Sequence, residues 1–573
     1  MGVTLSVPFH RPMAVEAEVA APLAIGILPE VPNTYLKQIF ARLSAEDKAR
    51  LLQDKVVPVA WLPHLTLYAA VGETARARAE SAGLRVVAMI SDLAFRAALR
   101  GWLGPQILGV ATFGLARLKP EFSASRRFTS AQIVWTIALM VWIVAGIFLL
   151  PQGVAYALAS FLCGIFFLSV IAIRILCVTT NLRRRRPAPA LLDTAQLPIY
   201  SVLVPVFRET RVLNQLLGAL QSLHYPHEKL DIKLILEEND IAMQRALRVY
   251  ELPAHFEIII VPAGKPQTKP RALNYALQFA RGQLVTIYDA EDLPEADQLQ
   301  KAAAAFAAGP ADLACLQAEL AFYNPNENWL TRQFTVEYAT LFKLILPSLA
   351  NEGLPLPLGG TSNHFNTQIL RKVGAWDSFN VTEDADLGLR LARQNYRTQM
   401  LDSITYEEAN VWLGNWLQQR ARWFKGFLQT WLVHMRHPVL LRREIGFDGF
   451  GTMQAMTIGV VFSALVHPIF LGFAIYNYFS GSMFKTAPSP GVSTIAALDI
   501  LVLGAGYGVS IYAGARGLMQ KRIAGWWLIL FSMPLYWLLM SVAGWMAVFQ
   551  FIFNPFYWNK TRHGLSRFTK PTI

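Results

Sequence analysis

The chain contains few charged residues. Aspartate, glutamate, lysine and arginine make up 16% of its 573 residues, against about 25% in ordinary soluble domains, whereas hydrophobic residues reach 54%. A chain of this length and composition is not expected to form one compact soluble domain. The composition favours an integral membrane protein with water-soluble parts.

Cysteine is nearly absent, with only Cys163, Cys177 and Cys315. Two of them fall in predicted membrane spans and no paired pattern is present, which excludes a disulfide framework and favours a reducing compartment for the soluble parts. The first twenty residues contain two prolines, a histidine and two glutamates but no apolar core segment, so no signal peptide is expected.

Acidic residues are outnumbered by basic ones, 39 to 52, which gives a formal net charge of +13. Such an excess suits either nucleic acid or an anionic membrane surface. The basic residues cluster beside apolar segments and no nucleic-acid module is recognisable. We therefore expect a membrane and no nucleic-acid partner.

Two apolar segments in residues 131–177, Ile133–Leu150 and Val154–Leu176, are each long enough to cross a membrane core of about 30 Å. Arginines flank the pair, at Arg126-Arg127 and in the run Arg183–Arg186. Under the positive-inside rule both flanks are cytoplasmic, and the pair forms a hairpin.

Residues 452–555 form a second membrane region. Met453–Tyr476 and Ile495–Ala513 are predicted spans, and Trp526–Phe553 is either one span with an interfacial helix or a re-entrant pair. Four crossings are predicted in the whole chain. The basic tail, residues 556–573, favours a cytoplasmic end and an even number of crossings.

Residues 1–30 are predicted to be poorly ordered, and residues 31–125 to form a small α/β accessory domain. The pattern predicts a helix from Asn33, a strand with its turn at Ala60–Ala70, a helix at Glu73–Ala82, a strand at Leu84–Ile90 and a helix at Ser91–Leu99. This domain carries no catalytic cluster and weakly resembles the N-terminal domain of secretion ATPases. A purely structural or partner-docking role is the alternative.

Residues 196–410 alternate apolar strands and helices, which predicts a doubly wound, nucleotide-binding α/β core. Acidic residues follow two of the strands: Glu238 and Asp240, then Asp289, Glu291 and Asp292. Further on, Thr382 is a natural helix N-cap, with Glu383 and Asp384 in the first turn. The segment 411–437 is a helix rich in tryptophan and basic residues, typical of a bilayer interface.

Three motifs in one order resemble those of the processive family 2 glycosyltransferases, the membrane-bound synthases of cellulose, hyaluronan and chitin type. Their D-x-D, T-E-D and Q-x-x-R-W signature is matched by Asp289-x-Glu291 with Asp292, by Thr382-Glu383-Asp384 and by Gln419-x-x-Arg422-Trp423. The C-terminal Pro555 to Gly564 also resembles the P-x-x-W-x-K-T-x-H-G ending of a bacterial exopolysaccharide-synthase subgroup. The resemblance covers the chain from about Pro198 onward and implies a GT-A (Rossmann-like) catalytic domain between groups of transmembrane helices.

The resemblance implies a nucleotide-sugar donor, a UDP-sugar being the expected form. Pyrophosphate departure needs positive charge, and Mg²⁺ or Mn²⁺ held by Asp289 with Glu291 or Asp292 would supply it. The donor-side candidates are Glu238, Asp240, Lys269, Arg271, Asn274, Asp289 and Arg422. Lys269, Arg271 and Asn274 match a K-x-x-A-L-N segment beside the donor, although the same residues also fit the start of an amphipathic helix.

Asp384 is the candidate general base of an inverting transfer, with Glu383 and Thr382 beside it. Acceptor-side candidates are Gln317, Thr361, Ser362, Asn363, Gln419 and Trp423, because family loops and the Q-x-x-R-W helix line the acceptor. An ordinary glycine-rich turn is the alternative for Thr361–Asn363, as a plain helix cap is for the T-E-D triplet.

The sequence thus predicts a multi-pass protein of the bacterial inner membrane, with a cytoplasmic catalytic domain that extends a polysaccharide and an export path between its spans. A single addition to a lipid-linked acceptor is the alternative within enzymes, and a non-catalytic scaffold for a secretion complex is the alternative from another class. The sugar, an export or periplasmic partner and control by cyclic-di-GMP stay open.

Overall fold

A computed structural model of the chain describes residues 54–62, 64–180, 189–481, 490–519, 525–556 and 560–568, together with five isolated positions between Val31 and Leu43. The predictions for residues 1–30, for most of the helix from Asn33 and for the run Arg183–Arg186 lie outside the described residues. The chain divides into two compact units, Met1–Leu108 and Gly109–Ile573.

Eleven strands are present in the described residues. They are β1 Val56–Leu62, β2 Leu65–Val71, β3 Arg85–Ile90, β4 Tyr200–Val206, β5 Leu230–Glu237, β6 Phe256–Val261, β7 Leu284–Ile287, β8 Leu293–Pro294, β9 Leu313–Phe322, β10 Asn363–Asn366 and β11 Arg397–Glu407.

The α-helices of the described residues are α1 Glu73–Ser81, α2 Asp92–Leu118, α3 Ser130–Leu149, α4 Gln152–Thr180, α5 Leu213–Gln221, α6 Ile241–Leu247, α7 Lys269–Leu277, α8 Gln298–Ala308, α9 Trp329–Thr340, α10 Leu346–Asn351, α11 Thr367–Lys372, α12 Glu383–Arg393, α13 Leu413–His434, α14 Pro438–Gln454, α15 Val460–Phe479, α16 Pro490–Leu518, α17 Trp526–Phe531 and α18 Met533–Phe553.

The N-terminal unit contains a three-stranded sheet. β1 pairs antiparallel with β2, and β2 pairs parallel with β3 through the crossover helix α1. The predicted strand and turn at Ala60–Ala70 is therefore a hairpin of two strands, and the predicted helix at Glu73–Ala82 and strand at Leu84–Ile90 are confirmed. The helix predicted at Ser91–Leu99 is much longer, because α2 extends to Leu118.

The second unit is built on an eight-stranded sheet in the order β6-β5-β4-β7-β10-β9-β11-β8. β4 to β7 are parallel, as predicted, and β4 is a continuous buried apolar strand. The other half of the sheet departs from this parallel arrangement. There β10 inserts antiparallel between β7 and β9, so the sheet is mixed.

Five helices of the described residues are long and apolar enough to cross a membrane: Ser130–Leu149, Ala157–Thr180, Pro438–Phe473, Ala497–Leu518 and Met533–Phe553. The first two match the predicted hairpin. The predicted segment Trp526–Phe553 divides at Ser532 into the short helix α17 and the 21-residue helix α18, in agreement with the alternative of one span and a short helix. Helix length and composition alone therefore give five candidate membrane crossings, whereas the basic C-terminal tail predicts an even number.

Polar side chains join two of the apolar helices. Ser160 of α4 donates to the carboxylate of Asp499 on α16, with an oxygen–oxygen distance of 2.7 Å. Three to four turns further along the same helices, Arg174 donates to Ser510 at 2.8 Å. Such bonds fix one helix against another where apolar surfaces alone provide little orientation.

Candidate active site

The T-E-D triplet lies at the start of α12, as predicted, with Glu383 and Asp384 in the first turn. Thr382 occupies the N-cap position, but its hydroxyl makes no capping hydrogen bond and lies 3.4 Å from the side-chain oxygen of Asn380. α13 passes so closely that a Cβ on Gly426 would lie 2.3 Å from Thr382. The plain-cap alternative is therefore not supported for Thr382.

Lys269 connects the two acidic motifs. Its ammonium group lies 2.5 Å from Asp289 and donates to the carbonyl oxygen of Gly360 at 2.7 Å. A Cβ on Gly360 would lie 3.2 Å from the carboxylate of Asp384, so glycine allows this close approach. Burial would lower the pKa of Lys269, but Asp289 and Glu383 outweigh it and raise that pKa.

The acidic residues after β7 separate into two groups. Asp292 is buried, and its carboxylate accepts hydrogen bonds from the backbone N–H of Asp289, at 2.7 Å, and from the hydroxyl of Thr361. These bonds stabilise the loop from Asp289 to Asp292. Asp289 and Glu291 line the cavity described below, and Glu291 lies 3.0 Å from His563. This placement favours Glu291 over Asp292 as the partner of Asp289.

Four of the donor-side candidates lie outside the cavity wall. Arg271 is fully buried and pairs with Glu237 at 2.5 Å. The other three hold backbone: Asn274 donates to Trp376 O at 2.7 Å, Glu238 accepts Ala263 N–H at 2.9 Å, and Asp240 accepts Met243 N–H at the start of α6. Of the two basic residues in this segment, Lys269 and Arg271, it is therefore Lys269 that lines the cavity. Direct contact of the other four candidates with the donor stays a prediction.

The acceptor-side candidates around β10 mostly shape a turn. Gln317 accepts the N–H of Gly359 at 2.8 Å and donates to the carbonyl of Thr361 at 3.1 Å. Ser362 donates to Thr405, and Asn363 donates to the carbonyl of Gly359. Only Thr361 of the three turn residues lines the cavity.

Helix α13 brings Gln419, Arg422 and Trp423 to the cavity wall. Trp423 stacks on Tyr338 with an interplanar angle of 27°, and the Arg420 guanidinium lies 4.5 Å from the Trp423 ring. That guanidinium is held by two bonds to Glu337, of 2.6 and 2.7 Å. The contacts with Tyr338 and Arg420 therefore fix the orientation of the Trp423 ring.

One cavity of about 410 Å³ is lined by residues of both acidic motifs, of α13 and of the apolar helices. At one end it is lined by Lys269, Asp289, Glu291, Glu383 and Asp384. It then passes Gln419 and Trp423 and continues between the apolar helices. Residues lining that far end are Val170, Ile173, Arg174, Cys177, Val178, Met456, Val460, Ser463, Ser510, Ala513, Met533, Trp537 and Met540.

Burial shifts the carboxylates of the cavity toward their protonated forms. It raises the pKa of Glu383 to about 7, with a further contribution from Asp384, and it raises the pKa of Asp384 as well. It also raises the pKa of Glu291 to about 8 and that of Glu209 to about 7. Groups with such shifts accumulate where proton transfer or cation binding takes place.

Sequence reasoning did not assign Glu209, Lys560 and His563 to the site. Glu209 follows β4 and pairs with Lys560 at 2.8 Å, while His563 meets Glu291. The signal was present in the K-T-x-H-G pattern of the C-terminal segment, but nothing in a linear pattern placed that segment in the cavity.

The chain is similar in sequence to known glycosyltransferases. Residues 284–559 match the family model described as glycosyl transferase family group 2. Cellulose synthase 2 of Novacetimonas hansenii is 26% identical over 45% of this chain and 16% of its own length. Beta-monoglucosyldiacylglycerol synthase of Synechocystis is 26% identical over 50% of this chain and 60% of its own length. The chain thus spans less than two thirds of either relative.

Among solved structures, the mannosyltransferase PcManGT from Pyrobaculum calidifontis, in complex with GDP-Man and Mn²⁺, aligns with 70% of this chain and 99% of its own. The sequence identity is 16% and the TM-score is 0.42.

Proposed function

We propose, from the match of residues 284–559 to the model described as glycosyl transferase family group 2, that the chain is an inverting enzyme of the bacterial inner membrane that extends a polysaccharide from a nucleotide-sugar donor. The catalytic domain faces the cytoplasm and the apolar helices surround the product's exit. The observation that supports the proposal is one cavity whose lining includes Glu383, Asp384, the Trp423 ring and residues of the apolar helices.

Asp384 acts as the general base. It takes the proton of an acceptor hydroxyl as that oxygen bonds to the anomeric carbon, while the bond from this carbon to the nucleoside diphosphate breaks on the opposite face. The configuration at the anomeric carbon inverts as a result. Lys269, between Asp289 and Gly360, holds the carboxylates and the turn in place before the donor arrives.

The residues present fit a divalent cation. Asp289 and Glu291 project carboxylates into the cavity, and the Asp292 loop that carries them is closed by its own hydrogen bonds. Mg²⁺ or Mn²⁺ held there would neutralise charge on the departing diphosphate. Arg422 supplies a further positive charge on the same wall.

The transfer rate should fall as the pH drops through the raised pKa of Asp384, because the base must be deprotonated and burial has raised its pKa above the usual range of aspartate. The measurement is the pH dependence of kcat with saturating donor. The variant Glu383→Gln removes one negative neighbour and should move this limb to lower pH. A rate that stays level as the pH is lowered from about 8 to about 4, the ordinary pKa of aspartate, contradicts this assignment.

A growing sugar chain would rest on Trp423, because pyranose faces are apolar and stack on aromatic rings. Trp423→Ala should release the product about fivefold more often per addition, since one stacking contact contributes roughly 1 kcal/mol. Product length, measured by gel sizing, should fall accordingly. Trp412→Ala is the matched control, because Trp412 is 65% exposed outside the cavity, and it should leave product length unchanged.

A lipid-linked acceptor is a second candidate, favoured by the aliphatic character of the cavity between the membrane helices. Such walls suit acyl or polyprenyl chains better than a hydroxylated polymer. The similarity to a glucolipid synthase supports the same candidate.

The two candidates are separated by product analysis. The purified protein in lipid vesicles with Mg²⁺ or Mn²⁺ is given a panel of radiolabelled UDP- and GDP-sugars. Long polymer from one donor supports the synthase and identifies its sugar. A single sugar in the lipid fraction supports the second candidate, and no transfer from any donor contradicts both.

A further inference from the structure

An arginine lies on the cavity wall between the apolar helices. Arg174 belongs to α4, within the candidate span Ala157–Thr180, and its side chain lines the cavity. Its guanidinium donates a hydrogen bond to the hydroxyl of Ser510 on α16, at 2.8 Å. A charged side chain within a membrane span is costly and is commonly part of a functional site. The reaction described above uses neither Arg174 nor Ser510.

The side chain of Arg174 is directed into the cavity. One face of α4 lines the cavity at a spacing of three and four residues, and its members are Val170, Ile173, Arg174, Cys177 and Val178. The next two residues along α4, Ile175 and Leu176, lie on other sides of the helix and are 45% and 51% exposed. Arg174 is therefore not a side chain that extends over the outer surface of the helix to reach water.

The charge of Arg174 is not neutralised within the protein. Arg174 forms no ion pair with a carboxylate among the described residues. Glu337 attracts it from a longer distance, but that carboxylate already accepts two hydrogen bonds from Arg420, of 2.6 and 2.7 Å, and one from Tyr536 at 2.6 Å. Two guanidinium groups thus face one carboxylate, which leaves a net positive charge at this part of the cavity wall.

The depth of Arg174 along α4 corresponds to that of a lipid phosphate. The 29 residues of α4 give a helix about 43 Å long, close to the thickness of a bilayer that includes its headgroup regions. Arg174 comes six residues before the last residue of α4, Thr180, which is about 9 Å along the helix axis. The guanidinium therefore lies near the boundary between headgroups and hydrocarbon.

The cavity wall beside Arg174 is suited to an acyl chain. It is formed by aliphatic and thioether side chains from four helices, among them Val178, Val460, Ala513, Met533 and Met540. A soluble anion would gain nothing from such a wall, whereas an acyl chain would be removed from water along it. A cation beside an apolar wall is complementary to an anionic headgroup beside a hydrocarbon chain.

We propose that Arg174 and Ser510 bind the phosphate of a membrane glycerophospholipid, of which phosphatidylglycerol is the probe, with an acyl chain along the apolar wall of the cavity. The planar guanidinium can donate two parallel hydrogen bonds to phosphate oxygens, and the Ser510 hydroxyl can donate another. The proposal goes beyond the proposed function, because this lipid is neither the donor nor the acceptor of the sugar.

The test is native mass spectrometry of the full-length protein, stripped of lipid in detergent and then titrated with dioleoylphosphatidylglycerol. One tightly bound lipid per chain is expected. Dioleoylglycerol has the same acyl chains without the phosphate, and it should bind at least about tenfold more weakly because the hydrogen bonds to a charged group are lost. Arg174→Gln should weaken binding of the phospholipid by a similar factor, since glutamine can still bond to Ser510 but carries no charge.

The matched control is Arg516→Gln. Arg516 lies in the last turn of α16 and does not line the cavity, so its replacement should leave the affinity for phosphatidylglycerol unchanged. Arg174→Lys guards against a variant that fails to fold. It should keep at least about a third of the affinity, because the ammonium group retains the charge but not the paired hydrogen bonds.

Equal affinities for phosphatidylglycerol and dioleoylglycerol overturn the proposal, as does unchanged affinity in Arg174→Gln. Displacement of the lipid by an equal concentration of inorganic phosphate or UDP also overturns it, because the cation would then serve a soluble phosphate. Binding is measured without turnover. A protein that binds the lipid as expected and transfers no sugar therefore refutes the proposed function alone.

Discussion

Replacing Asp384 with asparagine is expected to lower the rate of sugar transfer by about 10²- to 10⁴-fold, because the amide has the shape of the carboxylate but cannot take the acceptor proton. Asp384 accepts the N–H of Ala385 at 2.7 Å, and an asparagine oxygen can do the same. The fold should therefore be retained. The measurement is the initial rate of transfer, together with donor affinity by calorimetry, which should change little.

Residual activity distinguishes the roles of the two acidic residues. Glu383→Gln should keep a larger part of the rate than Asp384→Asn, since Glu383 lies beside the base and does not itself take the acceptor proton. If Asp384→Asn keeps more than about a tenth of the wild-type rate, Asp384 is not the general base.

The variant Asp386→Ala, two residues further along the same helix, is expected to unfold the catalytic domain rather than to slow sugar transfer. Asp386 is fully buried and accepts from Arg390 at 2.7 Å and from His434 at 3.1 Å. Burial alone would raise the pKa of Asp386, but Arg390 and His434 hold it below its usual value. Removal of the carboxylate leaves the buried guanidinium without its counter-charge, at a cost of about 3–5 kcal/mol.

The matched control is Asp312→Ala. Asp312 pairs with Arg397 at 2.9 Å, about as closely as Asp386 pairs with Arg390, but both partners are well exposed and the pair contributes about 1 kcal/mol or less. Thermal unfolding in detergent should show a large drop in midpoint for Asp386→Ala and a small one for Asp312→Ala. Equal midpoints would mean that the buried network carries no special share of stability.

The residues predicted best are those whose role depends on local sequence. The first turn of α12 follows from the Thr-Glu-Asp triplet, and the position of Asp289 follows from the apolar strand before it. The i, i+4 spacing of Asp386 and Arg390 also suggests an ion pair. The second partner of Asp386, His434, lies 48 positions further along the chain, and only the packing of α13 on α12 brings these two residues together.

Long-range placement was not predictable in the same way. β10 has four residues, and its sequence reads as part of a glycine-rich turn. Its antiparallel insertion depends on pairing with two strands that lie far away in the chain. The C-terminal segment Lys560–Phe568 likewise reaches the cavity while it is hydrogen-bonded to Glu408 and Glu327. Neither contact leaves a pattern in the sequence.

Tryptophan illustrates the limits of composition. The helix 411–437 was predicted to lie at a bilayer interface, and the 65% exposure of Trp412 fits that position. Trp416 on the same helix is fully buried, and Trp423 lines the cavity. By their spacing the three rings lie on nearly the same side of the helix. Their surroundings differ because each meets a different part of the protein along the helix, which a count of tryptophans does not reveal.

The most direct test of the account is the anomeric configuration of the newly formed glycosidic bond, determined by nuclear magnetic resonance on product made from an α-linked nucleotide-sugar. Displacement in one step with Asp384 as base predicts a β-linkage. An α-linkage would contradict the account, because retention of configuration needs a route other than a single displacement assisted by this carboxylate.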